Sequence, residues 1–231
     1  MEKLFYVLWQ PGNDAVAFTE ALLALQINLG DAQRVRVGVP DVPLPREDPY
    51  AAMRQVAPAG YVSFWLNSAY RRAAAEAAIT AIAPRLAGYV VAESTILPAR
   101  TPACGAREDG FMQVCGFAAL PGLTRADLWR HWLGTHTDVA VGTQATIFYN
   151  QNVVVRPLTE HAPAWDAIVE ERFPAAALDD RAVYFDSVGD GAKLDANMAA
   201  MAQSCARFID FNTITLMNCG EYRFGGWRDG D

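Results

Sequence analysis

The chain has 231 residues, 52% of them apolar, and a formal net charge of −7. An acidic balance argues against nucleic acid or an anionic membrane surface as the main partner, because both select for basic surfaces. No stretch approaches the ~20 uninterrupted apolar residues that span a bilayer. The opening Met1-Glu2-Lys3-Leu4 lacks a basic segment followed by an apolar run, so the expectation is a cytoplasmic protein without a secretory leader. The four cysteines form no CxxC pair and no His-Cys cluster, which predicts reduced thiols and no metal site.

In chain order, Leu4 to Trp9 is a short aromatic-rich apolar run that predicts a strand, closed by the turn chemistry of Pro11-Gly12-Asn13-Asp14. Phe18, Leu22, Leu25 and Leu29 recur at helical spacing and predict a helix from about Ala17 to Leu29, with Gly30 suited to its end. Val35 to Val39 alternates with arginine and glycine, as an edge-facing strand does. Four prolines between Pro40 and Pro49 mark a surface loop. Tyr61 to Leu66 predicts a strand, Tyr70 to Leu86 an alanine-rich helix interrupted near its end by Pro84, and Tyr89 to Leu97 a strand. Pro98 to Asp109 is polar and turn-rich, which suits a linker.

The same order then recurs. Phe111 to Leu120 predicts a strand, and Thr124 with Asp127 three residues on predicts a capped helix start. Ala145 to Val155 predicts a long strand, Pro157 to Pro174 a loop with some helical character, and Ala182 to Ser187 a strand. Leu194, Met198, Met201, Cys205 and Phe208 mark a helix with an apolar stripe, and Asn212 to Tyr222 a final strand. Two βαββαβ units therefore follow one another: residues 1–98, a linker at 99–110, residues 111–224, and a tail at 225–231. Each unit makes an antiparallel sheet with both helices on one face. The other face needs covering wherever it is apolar, and two such sheets in one chain can cover each other. The expected fold class is α+β, two tandem ferredoxin-like units closing an intramolecular α+β barrel, either as a monomeric pseudo-dimer or as a homodimer.

Four separated pieces carry a resemblance. The second half reads Pro121-Gly-Leu-Thr-Arg-Ala-Asp-Leu-Trp-Arg-His-Trp-Leu-Gly-Thr-His136, then Phe148-Tyr-Asn-Gln-Asn152-Val, then Ala182-Val-Tyr-Phe-Asp186-Ser, then Ala206-Arg-Phe-Ile-Asp210. In that order they resemble the EthD family of the dimeric α+β barrel superfamily, over roughly Phe111 to Tyr222. Thr137-Asp138 stands where the family has Gly-Pro, and Val153 replaces the histidine of its strand motif. Residues 1–98 show none of these motifs, which points to a degenerate unit that keeps the partner sheet.

Candidate chemistry gathers in the second half. His136 near a helix C-terminus is either a general acid favoured as imidazolium or a structural residue closing the helix; it matches the motif histidine. Trp132 lies four residues before it on the same face. His131 reads as surface and His161 as a solvated loop residue. Tyr149 shares one strand face with Gln151, and Asn150 and Asn152 share the other; two asparagines on one face either meet solvent or line a polar cavity. Asp186, with Tyr184 on the same predicted strand face, is either a base raised by an apolar barrel or a helix N-cap. Gln113 is a candidate donor lining the barrel. The resemblance implies His136, Tyr149 and Asp186 as catalytic residues, with Asn150, Asn152, Gln113, Trp132 and Tyr184 around the substrate. No Gly-rich phosphate loop or Ser-His-Asp pattern is visible, so the expectation is an enzyme without cofactor. It is expected to act as a lyase on a small hydrophobic aromatic or polyketide-like carbonyl compound in aromatic catabolism. A monooxygenase or isomerase of the same superfamily and a non-catalytic accessory protein stand as alternatives.

Overall fold

In a computed structural model, residues 1–25, 30, 32–42, 58–98 and 104–227 are described. The end of the first helix at Leu29, most of the proline-rich loop and part of the linker lie outside these residues. The first half contains β1 (Glu2–Leu8), α1 (Ala15–Leu25), β2 (Arg34–Val39), β3 (Gly60–Leu66), α2 (Ala73–Ile82) and β4 (Leu86–Leu97). The second contains β5 (Phe111–Phe117), α3 (Arg125–Trp129), a π-helical segment (Arg130–His136), α4 (Thr137–Thr143), β6 (Phe148–Pro157), β7 (Ala167–Phe173), α5 (Arg181–Tyr184), α6 (Gly191–Cys205) and β8 (Thr215–Gly225).

The eight strands close into one barrel in the order β1-β3-β2-β8-β5-β7-β6-β4. Each half supplies four consecutive strands with the same internal order, and the halves join where β2 pairs with β8 and β4 with β6. This is an α+β barrel made from two ferredoxin-like sheets within a single chain. Every neighbouring pair is antiparallel, so β1 and β5, four places apart around the ring, run the same way. The approximate two-fold therefore lies along the barrel axis, and the two mouths of the barrel are not equivalent.

Alternation along the strands sorts side chains into three layers. On β1, Leu4, Tyr6 and Leu8 face α1 and α2, where Phe18, Leu22, Leu25, Ala75 and Ile79 complete an apolar core. Phe5, Val7 and Trp9 face inward and meet Tyr61, Tyr89, Val114, Trp165, Ile168 and Met217 in the lumen. In the second half, Phe117, Tyr149, Ala167 and Val169 face Leu128, Trp132, Ala140 and Phe208 of the helix layer. Gly116 leaves room for Trp165 to lie flat in the lumen, since a Cβ there would stand 2.6 Å from the indole.

Four expectations change. β2 is no edge: it pairs with β3 and β8, and its valines face the helices while Arg36 is fully buried in the lumen. The third strand of the second half is Ala167–Phe173, inside the region expected as a loop. Its sequence Ala-Ile-Val-Glu-Glu-Arg-Phe carries charge on both faces, which masks the alternation. Ala182 to Ser187, expected as a strand, instead forms the short helix α5. Asp180 caps it by accepting from the Ala182 and Val183 amides, and Asp186 ends it with a positive φ of 47°. A capping carboxylate thus outweighs the strand preference of Val183, Tyr184 and Phe185. Finally, the described part of the linker is built into the wall: the Gly105 and Glu108 amides donate to Arg223 and Glu221 of β8, and the Glu108 side chain is buried.

Candidate active site in the second helix layer

His136 is positioned by a helix that changes gauge. Thr124 caps α3 by accepting from the Asp127 amide, and the chain then widens into a seven-residue π-helical segment ending at His136 before α4 resumes. Such segments are rare and recur at functional sites. His136 therefore sits inside a continuous helix rather than at its C-terminus, and the dipole argument for an imidazolium does not apply. Burial instead lowers its pKa to about 4, so the ring is neutral at pH 7. Its Nδ1 lies 2.9 Å from Ser204 Oγ on α6, and the ring meets Phe208 edge-on at 4.9 Å. No partner for Nε2 is present among the described residues. The wide π turn keeps Trp132 on the same side, fully buried and edge-on to Phe117.

Tyr149 is buried on the helix-facing side of β6. Gln151 donates to its phenol oxygen at 2.9 Å and to Thr137 Oγ at 2.8 Å, which ties the strand to the residue after His136. Burial and the neighbouring Glu171 push the phenol well above its ordinary pKa. Glu171 stands directly opposite Tyr149 in the β6–β7 register. No hydrogen bond or ion pair reaches its carboxyl among the described residues, and burial raises it to about 7. Its charge is felt at Cys205, the neighbour of Ser204, where burial first and Glu171 second raise the thiol to about 12. Glu171 was not among the residues expected from sequence, because β7 was read as a loop.

The other expected residues separate. Gln113 faces the helix layer rather than the lumen; it accepts from Tyr184 Oη at 2.9 Å and donates to Asn218 at 3.2 Å. Tyr184 also stacks on Phe173. Asp186 lies outside both the barrel and the His136 cluster: its side chain is 66% exposed and pairs with Lys193 at 2.9 Å. Asn150 and Asn152 are fully buried in the lumen, across the sheet from Tyr149.

Those asparagines belong to a second constellation. Lys3 donates to Glu170 at 2.5 Å, to Asn152 at 2.9 Å and to Glu93. Arg36 donates to Glu170 at 3.1 Å, Arg223 reaches Glu108 and Glu221 at 2.9 Å, and Arg172 pairs with Glu108. Tyr61 donates to Glu221. Burial alone pushes the Glu170 carboxyl up, yet Lys3 and Arg36 hold it below the usual carboxylate range. Glu221 follows the same logic, its burial outweighed by Arg223, Arg36 and Arg172. Sequence reading expected apolar barrel walls; the signal it passed over is one charged residue every second position at one end of several strands. Among the described residues, no group of three or more His, Cys, Asp or Glu side chains is placed to hold a metal ion.

Comparison with known proteins now bears on this layout. Residues 120–212 match the EthD domain. The matched span begins after β5 and ends before β8, and it contains the π segment, Tyr149, Glu171 and Ser204. No curated protein matches the chain. A solved structure of an anthrone oxidase-like protein is similar with a TM-score of 0.51 at 9% identity, covering 99% of this chain and 93% of that one. A protein of Fusobacterium nucleatum subsp. nucleatum ATCC 25586, assigned by name to the monooxygenases, gives 0.48 at 7% identity over 100% and 95%. One named as a chlorite dismutase gives 0.47 at 10% over 94% of each chain. At these identities the likeness is one of fold. No helix among the described residues is long and apolar enough to cross a membrane.

Proposed function

We propose that the EthD unit carries a proton-transfer site in its helix layer and acts as a lyase on a small hydrophobic carbonyl compound. The observation that carries this is one helix-facing layer that holds both His136, anchored on Ser204 and Phe208, and Glu171, opposite Tyr149, which Gln151 ties to Thr137 next to His136; there the imidazole is neutral and the carboxyl raised to about 7. Catalytic acids and bases work best with a pKa near the operating pH. Where Ser204 Oγ–H donates into Nδ1, the neutral ring carries its proton on Nε2 and can donate a hydrogen bond to a substrate carbonyl oxygen. Ionised Glu171 then takes the proton from the carbon next to that carbonyl, leaving an enolate. The enolate expels a leaving group in an elimination; in a decarboxylation, carbon dioxide departs to give the same enolate and protonated Glu171 returns a proton to carbon. Tyr149, held protonated, is a second donor beside Glu171. Phe117, Trp132 and Phe208 supply the apolar walls that favour a hydrophobic substrate.

The test is deuterium incorporation from heavy water into a panel of hydrophobic β-dicarbonyl and β-keto acid compounds, read by NMR together with product formation. His136→Ala and Glu171→Gln are each expected to slow both processes by about 10²–10⁴-fold, the range of one general acid or base. Exchange and turnover that are unaltered in both variants overturn the reading.

A further inference from the structure

The helices of the second half do not press on their sheet as those of the first half do. α1 buries Phe18, Leu22 and Leu25 on one side, whereas α6 buries Ser204 alone. The apolar stripe of α6, formed by Leu194, Met198, Met201 and Cys205, is half-buried throughout. On the sheet, Gln113, Cys115, Glu171 and Asn218 are half-buried too, although each stands inside a strand that is paired on both sides. Cys205 of α6 and Cys115 of β5 both feel the charge of Glu171, so these groups lie around one space. Partial exposure on the two facing sides of a layer marks a crevice between α6 and the sheet.

Polar side chains cross the floor of this crevice in one row. Asn218 of β8 stands opposite Gln113 of β5, Gln113 opposite Glu171 of β7, and Glu171 opposite Tyr149 of β6. With neighbouring strands ~4.8 Å apart, the row is roughly 14 Å long and has Asn218 and Tyr149 at its ends. The next row is Leu216, Cys115 and Val169, which is apolar. Gln113 is already committed, since it accepts from Tyr184 Oη and donates to Asn218 Oδ1. That contact fixes the Asn218 amide with its Nδ2 turned away from Gln113, and no acceptor meets Nδ2 among the described residues. Within the row Glu171 is the one carboxyl. The cations of the covering helices, Arg125, Arg130, Arg181, Lys193 and Arg207, are all exposed. An anion in the crevice would therefore meet a carboxyl without a buried counter-charge, whereas a neutral ligand meets apolar walls and a few hydrogen-bonding groups. Methionine side chains adapt their shape to a flat ligand face.

We propose that the crevice beneath α6 is the substrate cleft of the second half and takes a flat, uncharged, fused-ring ketone with a second oxygen remote from its carbonyl. The carbonyl lies at the Tyr149–Glu171 end, Met198 and Met201 cover a ring face, and Asn218 Nδ2 donates to the remote oxygen two strand spacings from Glu171. The placing of the carbonyl rests on the proton-transfer reading above; the cleft and its Asn218 anchor do not.

The experiment is calorimetric titration of the full chain with α-tetralone and with the same ketone bearing a hydroxyl on the ring far from its carbonyl. The hydroxylated ketone is expected to bind about ten-fold more tightly, the worth of one well-made hydrogen bond. A carboxylate in place of that hydroxyl should bind more weakly than either. Asn218→Leu is expected to abolish the ten-fold preference, and Met198→Glu to weaken both neutral ketones at least ten-fold, with circular dichroism unaltered. The comparison of the three ligands on the unsubstituted chain needs no variant to fold. Equal affinity for the two neutral ketones, tighter binding of the carboxylate, an undiminished preference in Asn218→Leu, or unaltered binding in Met198→Glu each overturns the proposal. Hydroxyl-dependent binding without deuterium exchange would remove the lyase reading and leave the cleft in place.

Discussion

The same space between sheet and helices exists twice in this molecule and is filled in two ways. In the first half, α1 and α2 press Phe18, Leu22, Leu25 and Ile79 onto Leu4, Val37, Val62 and Phe64. The polar contact at its margin is Tyr6 donating to Glu76 at 2.8 Å, with Arg72 on the same carboxylate. In the second half, the equivalent layer holds His136, Ser204, Tyr149, Gln151 and Glu171 among its aromatic side chains. One layer maximises apolar burial. The other places titratable groups, His136 and Tyr149 buried and Glu171 half-buried, among its apolar side chains at a cost in stability.

This contrast can be broken at several points. The largest effect is expected in the lumen that both halves share. Glu170→Ala leaves Lys3 and Arg36 with Glu93 alone as their shared carboxylate, and removing one partner of a buried pair typically costs about 3–5 kcal/mol; chemical denaturation measures it. Next comes the first helix layer, where Leu22→Ala should cost about 2–5 kcal/mol. The exchange activity per folded molecule should stay unaltered. A loss of activity there would mean that the apolar layer is not merely architectural.

His136 gives an intermediate effect with a pH signature. Its folded pKa of about 4 lies below the ordinary 6.5, so the unfolded chain takes up the proton first. The stability contributed by the neutral ring is complete above pH 6.5 and is lost as pH falls toward 4, on the order of 3 kcal/mol. Glu171 acts in the opposite sense. Its folded pKa of about 7 lies above the ordinary 4.5, so its contribution is complete below pH 4.5 and is lost as pH rises through 7. His136→Leu should flatten the acid side of the stability profile, and Glu171→Gln the neutral side. The smallest effect belongs to Asp186→Asn. An exposed residue with a surface ion pair should change stability by less than about 0.5 kcal/mol and leave exchange activity in place.

The barrel was legible in the sequence because its logic is local: a repeated βαββαβ order and apolar sheet faces that need a partner. That Trp132 and His136 share a side of one helix, and that Tyr149 and Gln151 face away from Asn150 and Asn152, was legible because one helix and one strand set those faces. What was missed depended on pairings that no local pattern reports. Glu171 sits on a strand whose charges on both faces resemble a loop. Arg36 looked like the solvent side of an edge strand because valine alternation marks only one buried face, and here both are buried. The apparent strand around Asp186 lost to a capping carboxylate two residues upstream of its first residue.

The lumen charges also decide which sheet meets which. Among the described residues, the first half contributes Lys3 and Arg36 against Glu93; the second, with the linker segment on its β8, contributes Arg172 and Arg223 against Glu108, Glu170 and Glu221. One face carries a surplus cation and the other a surplus anion, and Lys3–Glu170, Arg36–Glu170 and Tyr61–Glu221 bind across the seam. Two first halves facing each other would trap like charge in a dry interior, as would two second halves. The two sheets are thereby keyed to their counterpart in the same chain, like a lock with two different sides.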